Sequence, residues 1–471
     1  MMRGCASSST LASCVRGGGR GPLSQVTLSS SRQAYMSRTL RSSIRYYTTP
    51  QRERQRQQQQ QKRSQSTLAD VKFAAQQLLN AKTTKRNTVP TIENPSVDPL
   101  RLVASELGFL KSNMQKLIGT GHPVLERVAR YYTKSEGKNL RPLLVLLMAQ
   151  ATSLTGPRDT PRETMLSSQN QINEAINSEV VLADSNPDAS PLTTPYGDMD
   201  LEKGDHILPS QRRLAEIVEL IHTASLLHDD VIDHAVTRRS DASANIAFGN
   251  KMAVLAGDFL LGRASVALIR LRDQEVSELI ASVIANLIEG EFMQLKNTML
   301  NEKKPKFSED IITYYLQKTY LKSASLISKS CRATALLGHC KPEVIDAAYL
   351  YGRNLGLAFQ LVDDMLDYTV DSGELGKPAG ADLELGLATA PLLFAWKSKP
   401  QLSPLVGRNF SKPGDVELAK LMVSETDGLE QTRALAQKYA DDAVQAISFF
   451  PDSPAKQALI DICKKATSRR K

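Results

Sequence analysis

Two stretches decide how this chain is read: ELIHTASLLHDDVIDHAVTRR (219–239) and GLAFQLVDDMLDYT (356–369). Each carries the pattern Asp-Asp-x-x-Asp, at Asp229, Asp230 and Asp233 and again at Asp363, Asp364 and Asp367. On a helix the first and last of each trio stack along one face while the middle one sits about 100° around. Three carboxylates are thereby gathered within a few ångströms at the end of a strongly apolar helix, where unneutralised they repel and resist burial. Hard cations with oxygen ligands relieve that repulsion. Magnesium, which takes one or two carboxylates with substrate phosphates and water, fits such sparse patches better than a closed cage does. A single trio is an ordinary solvated helix face; two in apolar helical surroundings are not.

Bases lie near both trios. Gly137-Lys138-Asn139-Leu140-Arg141-Pro142 places Lys138 and Arg141 at a helix entrance, where the backbone also favours anions. Arg238 and Arg239 follow the first trio, Lys318 and Thr319 lie among apolar residues, and Lys377 opens a Gly/Pro loop past the second trio. Together they describe a site for two polyphosphate groups, one bridged by metals and one held by Lys and Arg. His222 lies seven residues before Asp229 and Gln360 three before Asp363, so both share an aspartate face.

Helical periodicity runs on from these stretches. Asp98-Pro99 reads as a cap with proline in the first turn, and Leu100, Val103, Leu107, Leu110, Met114 and Leu117 recur at spacings of three and four up to Gly119. Further stretches are expected at 140–153, 211–235, 251–271, 275–299, 308–338, 342–369, 415–448 and 454–468, with no alternating strand pattern. The fold class is all-α. Residues 155–207, with ten acids and Ser/Asn/Pro clusters, are expected to be a largely disordered surface insertion.

Charge is distributed unevenly. The 471 residues carry a formal +9, but residues 1–65 hold twelve Lys/Arg against the single acid Glu53. The rest of the chain is slightly acidic and 5% of the whole is aromatic, which argues against a nucleic-acid partner. The acid-free, Arg- and Ser-rich residues 1–47 have the composition of a mitochondrial transit peptide, and 48–95 contain a low-complexity linker. Cys331, Cys340 and Cys463 are widely spaced with no CxxC pair, against a disulfide framework or zinc site. No uninterrupted apolar run reaches the length of a membrane span.

The ordered motifs GKNLRP (137–142), the two aspartate stretches, GNKMAVLAGDFLL (249–261), EGEFMQL (289–295), LQKTYLKSASLI (316–327) and GKPAGADLELGLATAPLLFA (376–395) resemble those of the trans-isoprenyl diphosphate synthases. The likeness is to the long-chain mitochondrial polyprenyl synthases of ubiquinone biosynthesis in particular, and it covers about residues 96–471 apart from the insertion. It implies a helical bundle of the isoprenoid synthase type around a central cavity, and a homodimer or hetero-oligomer. It further implies the mitochondrial matrix or the matrix face of the inner membrane, with peripheral membrane association for product release.

By resemblance the six aspartates hold three Mg²⁺ on an allylic diphosphate (farnesyl or geranylgeranyl), which Arg238, Lys318 and Lys377 contact directly. Lys138, Arg141, His222 and Arg239 form the isopentenyl diphosphate site, and Thr319 and Gln360 line the reacting carbons. Residues before the first trio, Val218, Ile221, Ala224 and Ser225, form the floor that sets chain length; Ala224 and Ser225 are small, which implies a long product. Leu387 stands where short-chain relatives often carry Lys. The alternatives are a non-catalytic partner subunit, in which intact aspartate motifs are not expected, and a terpene cyclase, which lacks the second Asp trio.

Overall fold

The computed structural model describes residues 98–120, 122–134, 139–157, 207–238, 241–299, 305–369 and 380–469. The expected tail and linker, nearly all of the insertion, and Lys138, Arg239 and Lys377 lie outside these. The described residues are almost entirely helical. In chain order they form α1 (Pro99–Leu102), α2 (Ala104–Ile118), α3 (Pro123–Ala129), α4 (Tyr131–Lys134), α5 (Leu140–Ser153) and α6 (Pro209–Ile232). A two-residue hairpin, β1 (Thr237–Arg238) and β2 (Asp241–Ala242), leads to α7 (Ala244–Phe248), α8 (Asn250–Ile269), α9 (Gln274–Met299) and α10 (Glu309–Thr319). A π-helical turn, Tyr320–Ala324, joins α10 to α11 (Ser325–Leu337), and α12 (Pro342–Thr369) follows. The last elements are α13 (Ala381–Glu384), α14 (Ala390–Ser398), α15 (Ser403–Val406), α16 (Asp415–Ser424), α17 (Gly428–Ala446) and α18 (Pro454–Thr467).

The helix ends follow from local chemistry. Pro99 opens α1 behind an Asp98 cap whose carboxylate accepts from the Leu100 N–H, and Gly119 closes α2. Proline also starts α6 and α18, where Ser453 caps the latter. The expected helix over 99–118 is interrupted at Val103, and that over 415–448 divides between Ser424 and Gly428. The expected 308–338 helix is one rod in sequence pattern but carries the π turn in its middle, a feature common at functional sites. The short hairpin is the only paired strand among the described residues.

The two aspartate-bearing helices form the centre of the bundle. Helix α6 packs against α5 and α8, and α12 packs against α11 and α17. Leu214, Ile217, Val218, Leu220, Ile221, Ala224 and Leu227 on α6, and Ala348, Tyr351, Leu355, Ala358 and Leu361 on α12, are buried, and α6 also buries an Arg213–Glu216 ion pair at 2.6 Å. Each fully buried aliphatic side chain of Leu or Ile size contributes roughly 1.5–3 kcal/mol. This apolar packing holds the carboxylates at the far ends of both helices in fixed positions.

Helix α8 meets the length and hydropathy of a membrane span by composition, although charged residues interrupt its apolar run. It nonetheless lies along α6, and its Arg263 is buried with a hydrogen bond to the Gly119 carbonyl at 3.0 Å. The opposite flank leaves Leu255 58% and Ile269 63% exposed.

Helix α12 comes so close to α11 and the π turn that two of its glycines have no room for a side chain. A Cβ at Gly352 would stand 2.7 Å from Ser328 Cα, and one at Gly356 would stand 2.7 Å from both Cα and Cβ of Ala324. Glycine-to-alanine changes inside helices ordinarily stabilise by up to about 1 kcal/mol. Here overpacking reverses the sign: Gly352→Ala and Gly356→Ala are each expected to cost about 1–3 kcal/mol. Urea unfolding followed by circular dichroism measures this, and a gain in stability would contradict the close approach.

Candidate active site

Within each Asp trio the structure separates the middle carboxylate from its neighbours. Asp230 is fully buried, accepts the Tyr132 hydroxyl, and is ion-paired with Arg238 at 2.5 Å. The Tyr132 oxygen is itself held by the Ala244 N–H at 2.8 Å. Asp364 is treated alike: it is buried and accepts the Tyr315 hydroxyl at 2.5 Å and the Gln360 amide at 2.9 Å. A tyrosine thus anchors the second aspartate of both motifs. The reason is helical: residue i+1 points around the helix into the packed bundle, while i and i+4 stay on the other face.

Asp229, Asp233, Asp363 and Asp367 are the half-buried members. Burial raises Asp229 to about 6, assisted by Glu291 and Asp233 and opposed by Lys322 and Arg238. Burial also raises Asp364, against the hydrogen bonds from Tyr315 and Gln360. Asp367 accepts the Ala381 and Asp382 N–H groups at 3.1 and 3.2 Å, which fixes the start of α13. Asp363 is ion-paired with Arg469 at 2.9 Å, and that guanidinium also stacks on Phe359.

Two lysines one turn apart connect the clusters. Lys318 lies over the Tyr315 ring and within the fields of Asp364 and Asp382; burial lowers its ammonium below the ordinary lysine range. Lys322, in the π turn, is ion-paired with Glu291 at 2.5 Å. Burial pulls its ammonium down, but Asp229, Glu291 and Asp233 together outweigh that and raise it. Arg141 donates to His222 Nε2 at 2.8 Å, which joins the entrance of α5 to the aspartate face of α6.

Several residues picked from sequence have partners within the protein. Thr319 is buried and its hydroxyl turns back to the Tyr315 carbonyl. Gln360 bridges Ser323 and Asp364. Arg238 neutralises Asp230. Val218, Ile221 and Ala224 are buried in the α6 wall, and Ser225 donates to the His222 carbonyl. Sequence reasoning missed Tyr132, Tyr315, Glu291, Lys322 and Arg469. A signal for Lys322 exists, since Lys318-Thr319 is echoed four residues later by Lys322-Ser323; spacing alone does not choose between the pairs.

Among the described residues no three acidic, His or Cys side chains close into a metal cage. The donor set is nevertheless all carboxylate, arranged in two open groups beside lysines and arginines, which suits a hard divalent cation sharing its ligands with a diphosphate.

Comparison with known proteins agrees with this geometry. Residues 198–422 match the model of the polyprenyl synthetase family. The chain is 64% identical over 378 residues to a probable mitochondrial hexaprenyl pyrophosphate synthase of Neurospora crassa, covering 80% of this chain and 83% of that one. It is 47% identical to the mitochondrial hexaprenyl pyrophosphate synthase of Saccharomyces cerevisiae, covering 79% and 91%. The fold is similar to a Caulobacter crescentus polyprenyl synthase crystallised with calcium and isoprenyl diphosphate, with a TM-score of 0.62 and 28% identity over 80% of this chain and 100% of that one. The chain belongs to the polyprenyl synthetase family, a class of all-α prenyltransferases.

Asp229 is a stability cost in the metal-free protein. Its proton affinity is higher folded than unfolded, so its contribution favours folding below the ordinary aspartate range and is lost as pH rises through about 6. Asp229→Asn mimics the protonated form and is expected to raise the melting temperature in EDTA at pH 7, with the advantage shrinking toward pH 4. A lower melting temperature at pH 7 would contradict the burial assigned to this carboxylate.

Proposed function

We propose that the chain is a long-chain all-trans polyprenyl diphosphate synthase of mitochondria, supplying the side-chain precursor of ubiquinone. The observation that carries this is the pair of tyrosine-anchored Asp motifs with lysines between them, in a chain similar to named mitochondrial hexaprenyl synthases. The non-catalytic partner reading is disfavoured because both motifs are intact. The arginine-rich residues 1–47 are the import signal, and the matrix or its membrane face is the destination.

The substrates are isopentenyl diphosphate and an allylic diphosphate, farnesyl or geranylgeranyl. Asp229, Asp233, Asp363 and Asp367 would hold three Mg²⁺ through their carboxylate oxygens, while Asp230 and Asp364 set the helix ends through Tyr132 and Tyr315. Bound metal would withdraw charge from the leaving diphosphate. Lys318, Lys322 and, outside the described residues, Lys377 add positive charge at the same group. Lys138, Arg141, His222 and Arg239 hold the isopentenyl diphosphate. The allylic C1–O bond breaks, the isopentenyl double bond attacks C1, and the released pyrophosphate accepts the proton. No nucleophile–base pair of the chain is needed.

The exposed apolar flank of α8, with Met252, Leu255, Val266 and Ile269, and Ile288 and Phe292 on α9, supports self-association into a homodimer. Product length is set along α6. One helical turn is about 5.4 Å, comparable to one extended isoprene unit. The small side chains of Ala224 and Ser225, in place of bulky aromatics, support a product of roughly six to ten units.

The test is incubation of protein lacking residues 1–47 with Mg²⁺, isopentenyl diphosphate and farnesyl diphosphate, followed by chromatography of the dephosphorylated products. A long polyprenol is expected from the wild type, and Ala224→Phe or Ser225→Phe should shorten it by several units. No incorporation by the wild type would refute the assignment, and unchanged lengths in both variants would place the growing chain elsewhere.

A further inference from the structure

We propose that Glu291 is a positioning residue that holds the Lys322 ammonium away from Asp229 and so keeps the first aspartate cluster open to divalent metal. The proposal rests on the reading of Asp229 and Asp233 as metal ligands given above. Glu291 is only 8% exposed, and apart from the Lys322 ammonium at 2.5 Å neither carboxylate oxygen has a hydrogen-bond partner. A buried carboxylate with a single cationic partner is costly unless that pair is kept intact. Lys322 also lies in the field of Asp229, yet the ion pair it makes is with Glu291.

The backbone is built for this pairing. Glu291 follows Gly290, where a Cβ would stand 2.9 Å from the Lys322 nitrogen and 3.1 Å from its Cβ. Glycine there lets the π turn press directly against α9, and the turn brings Lys322 level with Glu291. Pairing with Glu291 satisfies the lysine charge without occupying an aspartate oxygen that a metal needs. Once a diphosphate is present, the same ammonium stands ready beside it. Without Glu291, the carboxylates whose field Lys322 still feels are Asp229 and Asp233 of the first cluster, and incoming metal would have to displace the ammonium.

A double-mutant cycle separates this role from two simpler ones. Mg²⁺ is titrated calorimetrically into the full-chain protein held with inorganic pyrophosphate, against a protein-free blank. Glu291→Gln is expected to raise the half-saturating Mg²⁺ concentration about tenfold, a loss of roughly 1.4 kcal/mol. In a Lys322→Met background the same Glu291→Gln change is expected to have little effect, because the displaced ammonium is gone. Glu291→Asp, one methylene shorter, should fall between and carries the comparison if the glutamine variant does not fold. An equal shift in both backgrounds would overturn the proposal, since Glu291 would then act as a ligand or as bare negative charge. No shift in either background would also overturn it. If the wild type itself takes up no Mg²⁺ with pyrophosphate, the metal-ligand reading fails first and the proposal falls with it.

Discussion

The constraint on which the rest of the structure depends is the placing of carboxylates at the ends of apolar helices. Burial penalises charge, and α6 and α12 are among the most deeply packed helices of the bundle. The protein answers this separately for each position of the motif. The middle aspartates receive a tyrosine hydroxyl and a second donor, Arg238 for Asp230 and Gln360 for Asp364. Of the flanking aspartates, Asp363 is ion-paired with Arg469 and Asp367 accepts two backbone N–H groups, while burial leaves Asp229 with a raised proton affinity. A buried carboxylate with raised proton affinity is a common mark of a functional site.

Positive charge is distributed accordingly. Lys322 is matched by Glu291, Arg238 by Asp230 and Arg469 by Asp363. Lys318 is half-buried, over the Tyr315 ring and in the field of Asp364. Cationic groups around the two aspartate clusters are thus held on internal partners. On the proposed reading, diphosphate and metal would bring compensating charge, so that these pairs could be exchanged without leaving a buried charge alone. The π turn and Gly290 show how far the backbone itself departs from regular helix to maintain that arrangement.

Much of this is legible in the sequence, for identifiable reasons. Helices α5, α6, α8, α9, α12 and α18 are readable because apolar residues recur at helical spacing, and the 342–369 boundary agrees with the structure at both ends. The Asp motifs are readable because a carboxylate trio in an apolar helix demands a counter-charge, and finding the pattern twice points to bound cations over a solvated face. The inequality within each trio is implicit in the rotation of about 100° per residue, but its agents are not. Tyr132 lies 98 positions from Asp230, and Tyr315 lies 49 from Asp364. Local pattern carries no information about partners so far away. The π turn is invisible for a different reason, since one extra residue in a helical turn leaves the apolar periodicity almost unchanged.

The most direct test is a crystal structure of the protein with Mg²⁺ and a non-reactive thiolo analogue of farnesyl diphosphate. The account expects metal density on oxygens of Asp229, Asp233, Asp363 and Asp367, with Lys322 on the diphosphate and the Tyr132–Asp230 and Tyr315–Asp364 hydrogen bonds intact. Metal bound instead to Asp230 or Asp364 with those tyrosines displaced, or diphosphate bound away from both clusters, would contradict it.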